Sequence, residues 1–273
     1  MSQMKLLRLP PLNLYGRLCL EEYILRNPNL YPHSYLLLSR HPPPSLTSAV
    51  TPGKPRTMVL GIGGKLNQHL SPSASNITCL KRFTGGGTVI TDSKTLFLTF
   101  ICRPTFQHYN ETQGNIQVGT LGPREIMSWS GSLLSSYISP LLSGGMTFLS
   151  KENDYVLSND MKVGGNAQAI TKGGFCHHTS LLWTFDDNNM EVLREPEKRP
   201  EYRKKRKHGE FITRLEEYCG GMGVEEFERL LGGGLREEFG GGGEEITFEG
   251  WEKEWDDWCW KPKGTRNKFI HDC

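Results

Sequence analysis

Three short stretches place residues capable of chemistry close together. In Arg82-Phe83-Thr84-Gly85-Gly86-Gly87-Thr88-Val89-Ile90-Thr91-Asp92, three consecutive glycines free the backbone to turn its N–H groups toward an anion, and Arg82 can add a charged fork to the same phosphate. Alone, the triplet reads equally as a hairpin turn. It lacks the G-K-[ST] ending of a P-loop and the spacing of a dinucleotide fingerprint, so neither nucleotide fold is implied. In Asn159-Asp160-Met161-Lys162-Val163-Gly164-Gly165-Asn166-Ala167-Gln168, a lysine on a strand edge precedes Gly-Gly and can reach under a closely packed ligand, as a compact positive charge on a phosphate or carboxylate. Taken singly, most such lysines are simply solvated. In Cys176-His177-His178-Thr179, adjacent histidines on a strand point to opposite faces, which makes a poor metal pair. At least one should be a hydrogen-bonding wall residue or a satisfied core histidine.

The elements that must position these residues are legible in outline. Leu14 to Arg26 has helical spacing, Tyr35 to Ser39 and Thr57 to Ile62 read as short strands, and the Pro- and Ser-rich stretch His41 to Arg56 between them reads as a long loop. Asn76 to Arg82 and Val89 to Thr91 flank the glycine triplet, while Thr95 to Cys102 (T-L-F-L-T-F-I-C) is the strongest buried-strand pattern in the chain. Pro123 to Ser136 predicts a helix with Ile126, Trp129 and Leu133 on one face; Asp154 to Leu157, Met161 to Val163 and Thr179 to Trp183 predict further strands. The fold class is α+β, a mixed β-sheet flanked by helices.

Beyond Asp187 the character changes. Of the 31 glycines, 18 lie in residues 1–187 and 13 in the shorter remainder, and the net charge of +2 divides into +6 and −4 at the same place. Phe211 to Tyr218 and Val224 to Leu231 look amphipathic, but Gly232 to Gly234 and Gly240 to Gly243 should each break a helix. Glu244 to Trp260 alternates acids with tryptophans. Three regions are therefore expected: 1–187 carrying the chemistry, a short helical extension over 188–231, and a glycine-rich, acidic, weakly ordered tail over 232–273.

Composition excludes several classes. The longest apolar stretches, such as Leu96 to Cys102, fall far short of the roughly 20 residues that span a bilayer, so no membrane partner is expected. Seven cysteines with no C-x-x-C pair argue against a disulfide framework and a structural zinc site, and for a reducing compartment. Residues 1–20 carry Lys5, Arg8 and Arg17 and no acid, as a mitochondrial presequence would, but Pro10 and Pro11 spoil an amphipathic helix there; the expected location is mitochondrial or cytoplasmic. The basic run Lys198 to Lys207 is read as a solvated face or a dock for acidic domains, not as a nucleic-acid site.

In order, the stretches R-F-T-G-G-G-T-V-I-T-D, E-N-D-Y (Glu152 to Tyr155), K-V-G-G-N-A-Q and H-H-T-S-L-L resemble the lipoate-protein ligase family of the biotin/lipoate ligase superfamily. The likeness covers about residues 6–187, including Glu21-Glu22 and the strand Thr57-Met58-Val59-Leu60-Gly61. Arg199-Pro200-Glu201-Tyr202-Arg203, with Arg206, His208 and Phe211, is similar to the continuation in plant-type and other eukaryotic members. The resemblance implies a class II synthetase-like catalytic domain with a short C-terminal helical appendage. It also implies a ligase that activates lipoate or octanoate with ATP as an acyl-adenylate and transfers the acyl group to a lysine of a lipoyl domain.

By motif position Lys162 is the catalytic residue, touching the α-phosphate and the acyl carbonyl. Arg82, Thr84, Gly85 and Gly86, with the backbone of Gly87, Thr88, Val89 and Ile90, hold the nucleotide; Asn153 and Asp154 lie near the adenylate, with Mg2+ at Asp154; Gly165 and Ala167 let the adenylate lie close to the strand; and His178 lines an apolar acyl tunnel. Side chains at Gly85 to Gly87, Gly164 and Gly165 should not be tolerated. The implied partners are the lipoyl domains of 2-oxoacid dehydrogenase E2 subunits and the glycine-cleavage H protein, met by a monomer. Two departures stand out: Thr91 replaces the His that many bacterial members have before the Asp, and only a short, glycine-rich region follows Asp187, so the adenylation step is open. Two alternatives remain. A lipoyl or octanoyl transferase would work without adenylation, in one branch through a cysteine for which Cys176 is one position out of register. A non-catalytic relative would only bind lipoyl proteins.

Overall fold

Strand Thr95–Cys102 is buried along its whole length, which requires cover on both faces of its sheet. Its even-numbered residues Leu96, Leu98, Phe100 and Cys102 join one core with Trp129, Leu133 and Phe227, whereas Phe97 and Ile101 face the opposite side with Leu18, Leu20 and Ile24. The period-2 pattern thus builds two layers around one strand.

The computed structural model describes residues 4–9, 13–30, 33–40, 56–72, 74–75, 77–110, 114–195, 199–240, 246–247 and 265–272. In chain order the strands are β1 (Met4–Arg8), β2 (Ser34–Arg40), β3 (Arg56–Leu60), β4 (Thr78–Lys81), β5 (Val89–Asp92), β6 (Thr95–Cys102), β7 (His108–Asn110), β8 (Gly114–Ile116), β9 (Phe148–Lys151), β10 (Asp154–Leu157), β11 (Lys162–Thr171), β12 (Gly174–Leu182), β13 (Ile246–Thr247) and β14 (Lys268–Asp272). The helices are α1 (Leu14–Arg26), α2 (Leu66–His69), α3 (Pro123–Ile138), α4 (His208–Phe211) and α5 (Val224–Glu238). The larger sheet runs β13-β1-β2-β6-β12-β11-β10-β9, the smaller β14-β4-β3-β5, and both mix parallel and antiparallel pairs. This is the expected α+β class. Among the described residues no helix is long and apolar enough to cross a membrane.

The flanking helices depart from expectation in instructive ways. Helix α1 follows the predicted span, but it also buries Arg17, Glu21 and Glu22, whose charges must find partners inside the molecule. Helix α5 runs straight through Gly232 to Gly234, which the sequence reading takes as a break. Packing explains this: Phe227, Leu231 and Leu235 are buried at four-residue spacing, and a Cβ on Gly234 would run into the Tyr137 ring of α3. Glycine there permits close helix contact at a cost in propensity. The predicted amphipathic helix over Phe211 to Tyr218 is instead the end of α4, an extended bridge from Ile212 to Lys162 and a 3-10 turn over Leu215–Tyr218. Of the expected weakly ordered tail, β13 and β14 add strands to the edges of the two sheets; residues 241–245 and 248–264, with their tryptophans, and loop residues 41–55 lie outside the described residues.

Candidate active site

Strand β11 begins at Lys162, so its ammonium stands at a strand end and not within a ladder. From there the strand carries Gly165, Asn166, Ala167 and Gln168 along the floor of an open trough of about 490 Å³, whose opposite wall is the loop Gly86 to Val89. Asn153, Asp154 and Lys162 close one end of it. The four stretches singled out in the sequence therefore meet in one place, because β10, β11 and β12 are consecutive antiparallel neighbours and the glycine loop lies across them.

Two anchors fix the loop to its surroundings. Gly85 N–H donates to Gln168 O of β11 at 2.8 Å, and Ile62 N–H donates to Thr84 O at 2.9 Å. Arg82 does not face the trough as a phosphate fork. It is buried beneath the loop, donating from Nη2 to Gly87 O (2.6 Å) and Gly85 O (2.9 Å) and from Nη1 to Val59 O (3.1 Å), and burial lowers its pKa to about 10. Arg82 thus shapes the loop by binding carbonyls, which leaves amides for a ligand.

The glycines are not equivalent. Gly86 has φ +96°, and a Cβ there would sit 2.9 Å from Asn166 O and 3.0 Å from Arg82 Nη2; one on Gly61, which the sequence reading passed over, would strike Gly86 O. Gly164 is pressed by Leu181 Cδ2 at 3.0 Å. Gly87 is open, and Gly85 and Gly165 meet only ordinary contacts at 3.6 and 3.5 Å, so the protein alone does not forbid a side chain at these three positions.

The two histidines take opposite faces, as the strand requires. His178 lies under the loop, with Nε2 3.2 Å from Thr84 Oγ1 and Nδ1 2.9 Å from Glu21 Oε2. Burial lowers the imidazole's pKa, partly offset by Glu21; burial raises that of Glu21, but His178, Arg17 and the Thr99 hydroxyl outweigh it and hold the carboxyl below its ordinary value. Neutral His178 then donates from Nδ1 to the carboxylate and accepts from Thr84 at Nε2. Beside it, Leu14, Leu18, Val59 and Phe97 wall a second cavity that shares Val89, Gly165 and Ala167 with the trough. Thr91 also lines this cavity and bonds to Thr57 O. His177, on the far face, is buried against Ser130 and Tyr155 with its pKa near 3, first through burial and then through His178.

At the other end of the trough Lys162 Nζ pairs with Asp154 Oδ1 at 2.7 Å, and the Tyr202 hydroxyl donates to Asp154 Oδ2 at 2.7 Å. Burial, then Asp154, raises the Tyr202 pKa, so the hydroxyl keeps its proton and remains a donor. Phe211 stacks between the Arg203 guanidinium (4.4 Å) and the Lys162 ammonium (5.9 Å), and Thr213 N–H donates to Lys162 O at 2.9 Å. Part of the supposedly solvated basic run is thus internal: Arg203 is buried on Glu195, and Arg206 donates to Asp160 O and Tyr202 O. Sequence reasoning assigns Tyr202 and Phe211 no role at the site; their signal is the stretch R-P-E-Y-R together with the Phe211 that follows it.

Both Asp154 oxygens are engaged, and Asn153 is exposed at the rim with its carbonyl accepting from Asn166. This donor set does not fit a resident Mg2+: one carboxylate, with each oxygen already on a donor, lacks the coordination the ion demands. The Ile90 side chain packs in the core of the smaller sheet with Met58 and Cys79, which leaves its backbone for the role the resemblance implies. Cys176 is buried beneath α1; burial and then Glu21 push its thiol well above the ordinary value, the reverse of what a nucleophile needs. Its sulfur, Glu21 and His178 offer ligand atoms within 4.8 Å of one another, yet the acid and the imidazole are bonded to each other and Arg17 sits 3.1 Å from Glu21.

The profile of the lipoyl protein ligase A/B catalytic domain matches residues 17–235, through the helical extension as well as the chemistry-bearing region. A curated relative from Plasmodium falciparum, named inactive lipoate–protein ligase 2, is 29% identical over 191 residues. That match covers 59% of the chain and 47% of the relative, so the chain spans about half the length of the curated relative it matches. Among solved structures, an archaeal bipartite lipoate-protein ligase studied with its E2 lipoyl domain, from Thermoplasma acidophilum, aligns over 94% of this chain and 91% of its own with TM-score 0.65 and 20% identity. Lipoate-protein ligase A bound with ATP aligns over 94% and 92% with TM-score 0.63 and 17% identity. At such identities these likenesses bear on the fold.

Proposed function

The chain belongs to the lipoyl protein ligase A/B catalytic-domain family, and from that premise we propose that it uses ATP to activate lipoate or octanoate and transfers the acyl group to a lysine of a lipoyl domain. The observation that carries this reading is the Lys162–Asp154 pair at the head of a trough with an amide-bearing loop along one side and an apolar-walled cavity leading from its floor. A carboxylate and a triphosphate repel each other, so a site joining them needs fixed donors and a mobile cation where they meet.

In the first step a carboxylate oxygen of the acid attacks the α-phosphorus, the bond to the bridging α–β oxygen breaks, and pyrophosphate leaves. Lys162 exchanges Asp154 for the α-phosphate and acyl carbonyl, and Asp154 stays within reach of the ammonium. Mg2+ arrives with ATP as part of the substrate. In the second step the acceptor amine attacks the acyl carbonyl, the carbonyl carbon–oxygen bond to phosphate breaks, AMP leaves and the amine's proton passes to solvent. The acyl chain is directed to the cavity beside Phe97, which at about 30 Å³ must widen by displacement of its apolar wall to admit it, and each methylene then buried contributes about 0.8 kcal/mol.

The test is mass spectrometry of a purified lipoyl domain after incubation with the protein, lipoate and magnesium-ATP. The expected result is the lipoyl mass increment, lost in Lys162→Ala, which should reduce the rate by about a hundredfold or more. A mass shift with lipoyl-AMP but none with ATP would leave a transferase; binding without any shift would leave a non-catalytic relative, the condition stated in the name of the Plasmodium protein.

A further inference from the structure

The glycine loop is held from below by two consecutive acids of α1. Glu21 reaches it through His178, whose other nitrogen bonds Thr84. Glu22 reaches it by a longer route. Successive helical residues diverge by about 100°, so Glu22 turns away from β12 and cannot use the same partner. It faces residues 265–267: its Oε2 accepts from the Thr265 hydroxyl (2.8 Å), from Arg266 N–H (2.8 Å) and from Asn267 Nδ2 (3.2 Å), while Oε1 accepts from Arg26 at 2.8 Å. Asn267 in turn accepts, at Oδ1, the N–H of Phe83 at 2.9 Å. Two parallel relays therefore end on adjacent loop residues, Glu21–His178–Thr84 and Glu22–Asn267–Phe83.

We propose that residues 265–267, which lie beyond the region matched by the family profile, are part of the nucleotide site, with Asn267 as a positioning residue that fixes the Arg82 to Gly87 loop through the Phe83 amide. Asn267 is 3% exposed and Glu22 fully buried, so loss of Asn267 takes one donor from a buried carboxylate that keeps its other partners, whereas the Phe83 N–H is left with no acceptor in a place closed to water. Phe83 itself is buried with Leu20 and Ile24 of α1, so a shift of its backbone moves the amides that follow. Downstream, β14 pairs with β4, the strand that leads into Arg82, and Phe269 stacks on Tyr15 of α1 at 4.4 Å. The segment thus grips the loop's entry strand, the helix behind it and the loop backbone at once. The proposal rests on the reading of that loop as a nucleotide cradle.

Full-length Asn267→Asp keeps an acceptor for Phe83 but sets a second carboxylate against Glu22; Asn267→Ala removes both bonds without adding charge. Binding of a non-hydrolysable magnesium-ATP analogue is measured by calorimetry, and exchange of the amides of residues 83–87 by mass spectrometry. The expected result is about tenfold weaker binding and faster loop exchange in either single variant. Wild-type affinity and wild-type loop exchange in the single variants overturn the proposal, as does faster exchange with unchanged affinity. If wild-type protein binds no nucleotide, the ligase reading fails on its own; loop exchange then judges the clasp, unchanged rates in the single variants overturning it and faster exchange in both supporting it.

Discussion

The two long sides of the trough are held in different ways. On the loop side Arg82 is only 2% exposed and bonded to backbone carbonyls, Thr84 is bonded to a buried His–Glu pair, and Gly85 is tied to Gln168; none of these partners is a group that a ligand would replace. On the lysine side the side chains of Lys162 and Asp154 are 20% and 12% exposed, and the bond between them joins opposite charges that an incoming anion can compete for. The loop side is prepared before binding, so it costs little reorganisation, whereas the lysine side is poised to exchange one anion for another. Chemistry that moves charge needs both, and this chain segregates them on facing walls.

The sharpest way to break that contrast is to compare two adjacent glycines. Gly86→Ala forces a side chain into a positive-φ position against Asn166 O and should destabilise the fold by about 2 kcal/mol and abolish nucleotide binding. Gly87→Ala meets nothing in the protein and should leave stability within about 0.5 kcal/mol of wild type while still weakening nucleotide binding, since its Cβ would project where the ligand lies. Urea unfolding and nucleotide titration separate the two. Equal stability loss in both variants would mean that the loop is not pre-set by its contacts.

A smaller effect is expected across the trough. Tyr202→Phe deletes one hydrogen bond to Asp154 and leaves the ring in place, so unfolding free energy should fall by about 1 kcal/mol and kcat by roughly fivefold, with KM for ATP nearly unchanged. A rise in KM with constant kcat would instead assign Tyr202 to binding and blur the division between a prepared wall and an exchanging one.

How far the sequence carries this picture depends on distance along the chain. That the glycine loop, Lys162 and His178 lie near one another follows from local motifs in order, while α1 shows roughly helical spacing of its apolar residues and β6 an unbroken apolar run. What was not readable is long-range. Arg82 sits in a motif that suggests a phosphate fork, yet only the fold shows the carbonyls of Val59 and Gly87 waiting for it. Gly232 to Gly234 carry a helix-breaking composition that burial of Phe227, Leu231 and Leu235 overrides. Asn267 lies in sequence context too polar to attract notice and acts on a residue 184 positions away. Local propensity speaks for elements; partners of buried charges are a property of topology.

Acid offers the smallest and most discriminating perturbation, because His177 and His178 are neighbours on opposite faces of one strand. His177 is surrounded by Ser130, Tyr155 and the adjacent His178, and burial holds its pKa near 3; His178 faces Glu21, Arg17 and Arg82, and is lowered less simply, since Glu21 opposes burial. Both folded-state values lie below that of an unfolded histidine, about 6.5, so the unfolded chain binds more protons as pH falls through that value. The stability contributed is complete above about pH 6.5 and is lost on descent toward the folded pKa, with a slope approaching about 1.4 kcal/mol per unit for a fully shifted group. At pH 6 His177 alone should cost about 0.8 kcal/mol relative to pH 8. His177→Gln should flatten that part of the curve while leaving nucleotide affinity at pH 8 unaltered, because its ring lies in the core behind the sheet. His178→Gln should flatten it less and weaken nucleotide binding at every pH, because the ring it removes supports Thr84. Equal effects of the two substitutions on affinity would show that the loop is held by the strand as a whole and not by the relay on its front face.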